Sequence, residues 1–129
     1  MPANKLILLI GTQKGLFRLI PGGAGEPWRV DGLHIEGYEV SHVLASRHEP
    51  GVLFAAAQHK IWGAHLYRSD DRGRSWGPMS ATPAHPAGAF SPALRAVWFL
   101  AESTHDGALL AGIDPAGLFV SRDRGASWS

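Results

Sequence analysis

Short apolar runs alternate along this chain with turn-forming residues. "LILLIG" (6–11), "VLFAAA" (52–57) and "ALLAG" (108–112) are compact hydrophobic stretches. Each is followed, after a hairpin-length loop, by a second apolar run: "GLFRL" (15–19), "HLYRS" (65–69) and "GLFVS" (117–121). Further strand-sized runs occur at 38–46 ("YEVSHVLAS") and 93–101 ("ALRAVWFLA"), with shorter ones at 28–30 and 75–80. Runs of this size, rich in Val, Leu, Phe, Tyr and Trp and broken by Gly, Pro or Asp, read as strands. No segment carries a capped 3.6-residue period. The run 93–101 has the length of a short helix, but Ser91-Pro92 before it and its aromatic content favour a strand.

The pattern repeats. "HLYRSDDRGRSW" (65–76) and "GLFVSRDRGASW" (117–128) share the octet S-x-D-x-G-x-S-W, and Ser121 and Trp128 each lie 52 residues after Ser69 and Trp76. A worn copy opens the chain, where Leu16-Phe17 aligns with Leu66-Tyr67 and Leu118-Phe119 and Trp28 follows. Four strands in a unit of about fifty residues make one blade of a β-propeller. With strands A to D counted outward from the axis, the second unit has A at 38–46, B at 52–57, C at 65–69 and D at 75–80. The third has A at 93–101, B at 108–112, C at 117–121 and D from Ser127. The first has only B, C and D. The expected fold is therefore all-β: about two and a half blades, each a four-stranded antiparallel sheet, of an incomplete propeller. Its units are 1–37 (blade one, without its inner strand), 38–87 (blade two) and 88–129 (blade three, cut short in its outer strand).

The octet spans the turn from C to D, and its residue types suit a folding role. Asp71 and Asp123 accept backbone N–H groups inside a tight turn. Gly73 and Gly125 supply a positive φ. Ser69, Ser75, Ser121 and Ser127 add hydroxyls, and Trp76 and Trp128 bury flat rings against the neighbouring sheet. A metal loop would need more carboxylates than "SDDRG" carries, and an Arg sits inside it. S-x-D-x-G-x-[ST]-W resembles the Asp-box, or BNR repeat, of sialidase-like propellers. The run from Val40 to Trp76 and the opening "LLIGTQKGLFRL" are similar to bacterial proteins labelled exo-α-sialidase or glycosyl hydrolase with BNR repeats. The resemblance implies a structural octet lying away from the binding face. It leaves activity open, because propellers of this kind include glycosidases, receptors and assembly factors.

A sialidase would need an arginine cluster, a Tyr nucleophile beside a Glu, and an Asp acid/base. "FRLIP" (17–21) is similar to a motif carrying the first such Arg, with one residue inserted. Repeat alignment, however, places Arg18 on strand C, level with Arg68, and both read as strand-surface residues. The two Tyr are Tyr38 and Tyr67. Tyr67 aligns with Phe17 and Phe119, which makes it a core ring. No catalytic set is present, so a hydrolase would draw its catalytic residues from beyond Ser129.

Composition narrows the remaining classes. Net charge is +1, which argues against nucleic acid and acidic membrane surfaces. There is no Cys, so disulfides and thiolate metal sites are excluded. The apolar run at 6–10 is too short for a signal-peptide core or a membrane span, which makes a cytoplasmic protein the expectation. His34-x-Glu36 and His48-Glu49 lack a third ligand at recognisable spacing, so no metal or other cofactor is expected.

Topology still singles out one end. In an antiparallel blade the B–C and D–A connections share the end opposite the octets, where binding residues are expected. The B–C loop of blade two is the longest and carries His59, Lys60 and an exposed Trp62. With Lys14 and Asp114 from the sibling loops, these residues suit stacking on a sugar and bonding hydroxyls or an anion. His34, Glu36 and His85 occupy the D–A connections of the same end. The expected partners are a carbohydrate or a protein, and unpaired blade edges also favour self-association. Two and a half blades fall short of the about four to eight of a closed ring. The expectation is an N-terminal piece of a longer propeller, the alternative a ring assembled from several chains.

Overall fold

The structure is a computed structural model that describes residues 6–86 and 93–129. The expected boundary between 87 and 88, and the Ser91-Pro92 signal, lie outside the described residues. Among those described there is no helix, and the strands form three antiparallel sheets. The first comprises β1 (Leu8–Thr12), β2 (Gly15–Ile20) and β3 (Arg29–His34). The second comprises β4 (Glu39–Ala45), β5 (Leu53–His59), β6 (Gly63–Ser69) and β7 (Gly77–Pro78). The third comprises β8 (Ala96–Glu102), β9 (Leu109–Asp114) and β10 (Gly117–Ser121). Each sheet runs in chain order, so each is a meander. Among the described residues no strand pairs with the inner edge of β1. At the outer edge of the third, Val120 and Ser129 exchange both backbone hydrogen bonds, at 2.9 and 3.0 Å, where strand D begins.

The sheets stack face to face: β1 and β2 pack on β4, and β4, β5 and β6 pack on β8. The two faces of β5 therefore feed two cores. Ala55 and Ala57 join Leu16 and Val40 between blades one and two. Phe54 and Ala56 join Leu66, Val97, Leu100, Leu109 and Ala111 between blades two and three. This is why β5 is apolar from Leu53 to Ala57 instead of alternating. The small residues there allow close approach, and at Gly11 a Cβ would lie 2.4 Å from the Val40 carbonyl oxygen of the next blade.

The Ser, Asp, Gly and Ser of both octets make the same bonds, while the tryptophans differ: Trp76 Nε1 donates to the Gly73 carbonyl at 3.0 Å, and Trp128 Nε1 is buried without a hydrogen-bond partner among the described residues. In blade two, Ser69 Oγ accepts the Gly73 N–H at 2.8 Å and donates to Asp71 Oδ1 at 2.8 Å. Asp71 then accepts the Ser75 N–H at 2.9 Å and the Ser75 hydroxyl at 2.5 Å. In blade three, Ser121, Asp123, Gly125 and Ser127 repeat each bond within 0.1 Å. Gly73 and Gly125 take φ of 86° and 92° as expected, and the arginine before each is also left-handed, Arg72 at 61° and Arg124 at 59°. The donors around Asp71 and Asp123, led by the Ser75 and Ser127 hydroxyls, hold both carboxyls at a pKa of about 2.

A folded-state pKa below the unfolded value of about 3.9 means that ionisation favours folding above pH 4, and that this contribution fades as pH falls towards 2. In urea titrations across that window, wild type should lose more of its midpoint than the Asp71→Asn/Asp123→Asn variant, which starts lower. Parallel pH curves for the two would remove the octets from the acid sensitivity.

One expectation is corrected. Arg18 is not a strand-surface residue but is 2% exposed. Its side chain points from β2 into blade two, where Nε donates to the Arg72 carbonyl at 2.9 Å and the guanidinium pairs with Asp31. The repeat alignment located it on strand C correctly, but strand C has a covered face as well as an open one. Arg68 is only partly covered, bonding Asp70 at 2.8 Å and Glu49 at 3.1 Å.

Candidate functional site

The end opposite the octets holds an open cleft of about 640 Å³ between the turns of blades one and two and the approach to blade three. The β1–β2 turn contributes Gln13, and the connection into β4 contributes Gly37 and Glu39. The β5–β6 turn contributes Gln58, His59, Lys60 and Ile61, and Arg95 closes the far side. Glu39 and Gln58 stand opposite each other in the β4–β5 register, and the Gln58 amide donates to Glu39 Oε1 at 3.5 Å. The Gly37 N–H donates to the Lys14 carbonyl at 3.0 Å, tying the blade-one turn to the rim.

The β5–β6 turn is held from within. His59 Nδ1 accepts the backbone N–H groups of Ile61 and Trp62 at 3.0 and 3.2 Å, which leaves the proton of a neutral ring on Nε2. His65 Nε2 lies 2.7 Å from the Trp62 carbonyl. Tyr38 packs against His59, His65 and Tyr67 at ring distances of 5.2, 5.7 and 6.1 Å. Burial, and then the neighbouring Tyr38, push the Tyr67 hydroxyl above its ordinary pKa, in keeping with a core ring. On this base the Trp62 side chain stands 66% exposed, its indole 6.3 Å from the His59 ring.

Of the five residues expected from sequence, His59 and Lys60 line the cleft and Trp62 stands on the same turn. Lys14 neighbours Gln13; its carbonyl accepts the Gly37 N–H and its own N–H donates to the Thr12 hydroxyl at 3.1 Å. Asp114 lies one layer back, where its carboxylate pairs with Arg95 at 2.9 Å and its carbonyl accepts the Arg95 N–H at 2.8 Å. His34 Nε2 lies 3.1 Å from the Asp31 carbonyl, and His85 Nε2 lies 3.0 Å from that of Pro115. Sequence reasoning missed Glu39, Gly37 and Arg95. The signal for Glu39 was the β4–β5 register, which places it beside Gln58 once the hairpin is aligned. Among the described residues no group of three His, Asp or Glu could hold a metal ion, and no helix is long and apolar enough to cross a membrane.

A second hollow, of about 480 Å³, lies between the octet loops and is lined in part by Arg68, Asp70, Asp71 and Arg124. Its arginines are already committed: Arg68 to Asp70 and Glu49, Arg124 to Glu49 and Glu102. That end joins blades and has little left to offer a ligand.

No family model and no curated protein match the chain. Solved structures do. A GH74 xyloglucanase from Xanthomonas campestris aligns with a TM-score of 0.60 and 24% identity, over 87% of this chain and 17% of that one. YCF48 bound to D1 peptide aligns with a TM-score of 0.61 and 14% identity, over 98% of this chain and 37% of that one. Both are β-propellers, and the chain is accordingly all-β with the architecture of a partial propeller. It spans well under half the length of either neighbour.

Proposed function

We propose that the chain contributes a carbohydrate-binding cleft to a sialidase-like propeller, and that binding rather than bond cleavage is the chemistry of its own residues. The observation that carries this reading is the Trp62 indole, 66% exposed on a turn stiffened by His59, with the residues before it, His59, Lys60 and Ile61, lining the cleft. A flat apolar ring takes the C–H face of a sugar, while Gln13, Gln58 and Lys60 supply donors and acceptors for its hydroxyls. Most glycoside hydrolases use two carboxyl groups flanking the scissile bond. Here Glu39 faces the cleft and Asp114 is held by Arg95. At 24% identity the xyloglucanase lends a fold and not a substrate, so the reading rests on the cleft.

Titration calorimetry with xyloglucan and mixed-linkage glucan oligosaccharides tests it. Wild type should bind at least one. Trp62→Ala should weaken that binding roughly five- to tenfold, the size of about 1 kcal/mol of ring stacking, with an unchanged melting temperature. Equal binding by both proteins, or none by wild type, overturns the reading. A drop in melting temperature would reassign Trp62 to packing. Displacement of the sugar by unrelated extended peptides would favour the alternative, a protein-binding propeller of the assembly-factor kind.

A further inference from the structure

The turn beneath Trp62 is closed by a side chain that gains charge in mild acid. His59 ends β5 and pairs with Gly63 at the start of β6. Its Nδ1 accepts the N–H groups of Ile61 and Trp62 at 3.0 and 3.2 Å, two and three residues further on. A side-chain acceptor that bonds the backbone two residues on is ordinarily Asn, Asp, Ser or Thr. Blade one follows that rule. Thr12 pairs with Gly15 as His59 pairs with Gly63, and its hydroxyl accepts the Lys14 N–H at 3.1 Å. In blade three the corresponding residue is Asp114, whose carboxylate goes to Arg95 instead. Of the three residue types at this position, histidine is the one whose acceptor disappears just below neutral pH.

A neutral imidazole has one N–H and one bare nitrogen, whereas a protonated ring has an N–H on both. A proton taken from solvent onto His59 Nδ1 would point at the Ile61 and Trp62 N–H groups, donor against donors, and both bonds would be lost. His65 behaves differently. Its Nε2 lies 2.7 Å from the Trp62 carbonyl, where only a donor fits, and it is a donor in either charge state. The tip is thus held from two sides, and acid cuts one of them. Ile61 and Trp62 are 76% and 66% exposed, so little packing opposes the release. Other charged and titratable groups surround the ring. From the connection into β4 and its first residue come Tyr38, 5.2 Å away ring to ring, and Glu39 on the cleft wall. From β6 come His65 and Tyr67, which pack against the same Tyr38 ring. Lys60 follows on the turn itself, Arg95 closes the far side of the cleft, and the blade-one turn brings Gln13 with Lys14 after it. Among these types only histidine ordinarily changes charge between about pH 5 and 8, and of the two histidines only His59 uses its bare nitrogen.

We propose that His59 is a proton switch: protonation at Nδ1 releases the β5–β6 turn, and Trp62 with it, as pH falls through the histidine range. In the cleft the consequence is acid-triggered release of a bound sugar. That consequence rests on the carbohydrate reading above, whereas the opening of the turn does not.

NMR of the isotope-labelled chain follows the turn without any sugar. Between about pH 8 and 5 the His59 ring should pass from the Nε2–H tautomer to the imidazolium. The heteronuclear NOEs of the Ile61 and Trp62 amides should fall with the same midpoint. His59→Asn places an amide oxygen where Nδ1 lies and does not titrate, so both amides should stay ordered in acid. His65→Gln keeps a donor for the Trp62 carbonyl and should respond as wild type does. The proposal is overturned if the wild-type amides stay ordered at the acid end, if His59 remains neutral there, if His59→Asn loosens as much as wild type, or if His65→Gln abolishes the response. If His59→Asn loses its sheet circular dichroism, His59→Asp, with a carboxylate oxygen at the same place, repeats the readings. Titration calorimetry with the xyloglucan and mixed-linkage glucan oligosaccharides, at the two ends of the same pH range, reads the consequence. Wild-type affinity should fall roughly five- to tenfold in acid, the size expected for loss of the Trp62 ring, and that of His59→Asn by less than about twofold. Equal losses in the two proteins would overturn control of the cleft by His59. No sugar binding at either pH, with the NMR response intact, would overturn the carbohydrate reading and leave the switch standing.

Discussion

Phe54→Ala lowers the stability of this chain by about 3–5 kcal/mol, the cost of emptying a large buried side-chain site. At roughly 4 °C per kcal/mol for a chain of this size, its melting temperature falls by about 12–20 °C. Phe54 is 1% exposed at the centre of the core between blades two and three. Arg124 and Arg68 lie over its ring at 5.3 and 5.5 Å, so the aromatic face also seats the two cations of the blade joint. Phe54→Leu separates the two contributions. Leucine occupies the equivalent positions, at Leu9 and Leu110, and restores most of the volume without the ring. A recovery to within about 2 kcal/mol of wild type would assign the loss chiefly to the cavity, whereas a loss as large as that of alanine would assign it to the cations. A shift of less than about 4 °C for Phe54→Ala would mean that the blade joint is not a cooperative part of the fold.

The octets were the most legible part of this fold because their bonds are local. Ser, Asp, Gly and Ser at fixed offsets satisfy one another within seven residues, so their geometry follows from spacing. Strand order was equally readable, since meanders join neighbours through short turns. What spacing does not encode is which face of a strand another blade covers. Arg18 and Val120 align with Arg68, yet Arg18 is buried and the other two are partly covered, because coverage depends on the neighbouring blade rather than on the strand itself. The cleft was half legible for the same reason. His59, Lys60 and Trp62 share one turn. Glu39 and Arg95 arrive from two other strand approaches and meet them only through register and stacking.

Arg124→Ala should produce a loss of comparable size by an electrostatic route. Its guanidinium pairs with Glu49 at 2.6 Å and with Glu102 at 3.0 Å, and also donates to the Gly107 carbonyl and Ser46 Oγ. It thereby binds the blade-three octet both to the rest of its blade and to the first loop of blade two. The Glu102 side chain is 5% exposed and further held by the Ser46 hydroxyl at 2.6 Å and the Arg47 N–H at 2.7 Å. Burial would raise the Glu102 pKa, but Ser46, Arg47 and Arg124 together outweigh it and hold the carboxyl below its ordinary range. Removing the arginine leaves a buried carboxylate without its cation, and stranding one partner of such a pair costs about 3–5 kcal/mol. Two further variants identify the source. Arg124→Ala/Glu102→Gln removes both charges and should regain at least half of the loss. Arg124→Lys keeps the charge but cannot reach Glu49, Glu102 and Gly107 together from one ammonium, so it should fall between alanine and wild type. Urea unfolding near pH 7 measures all four proteins. If the double variant is no more stable than Arg124→Ala, the loss belongs to the strained turn, where Arg124 holds φ of 59°, and not to the stranded charge.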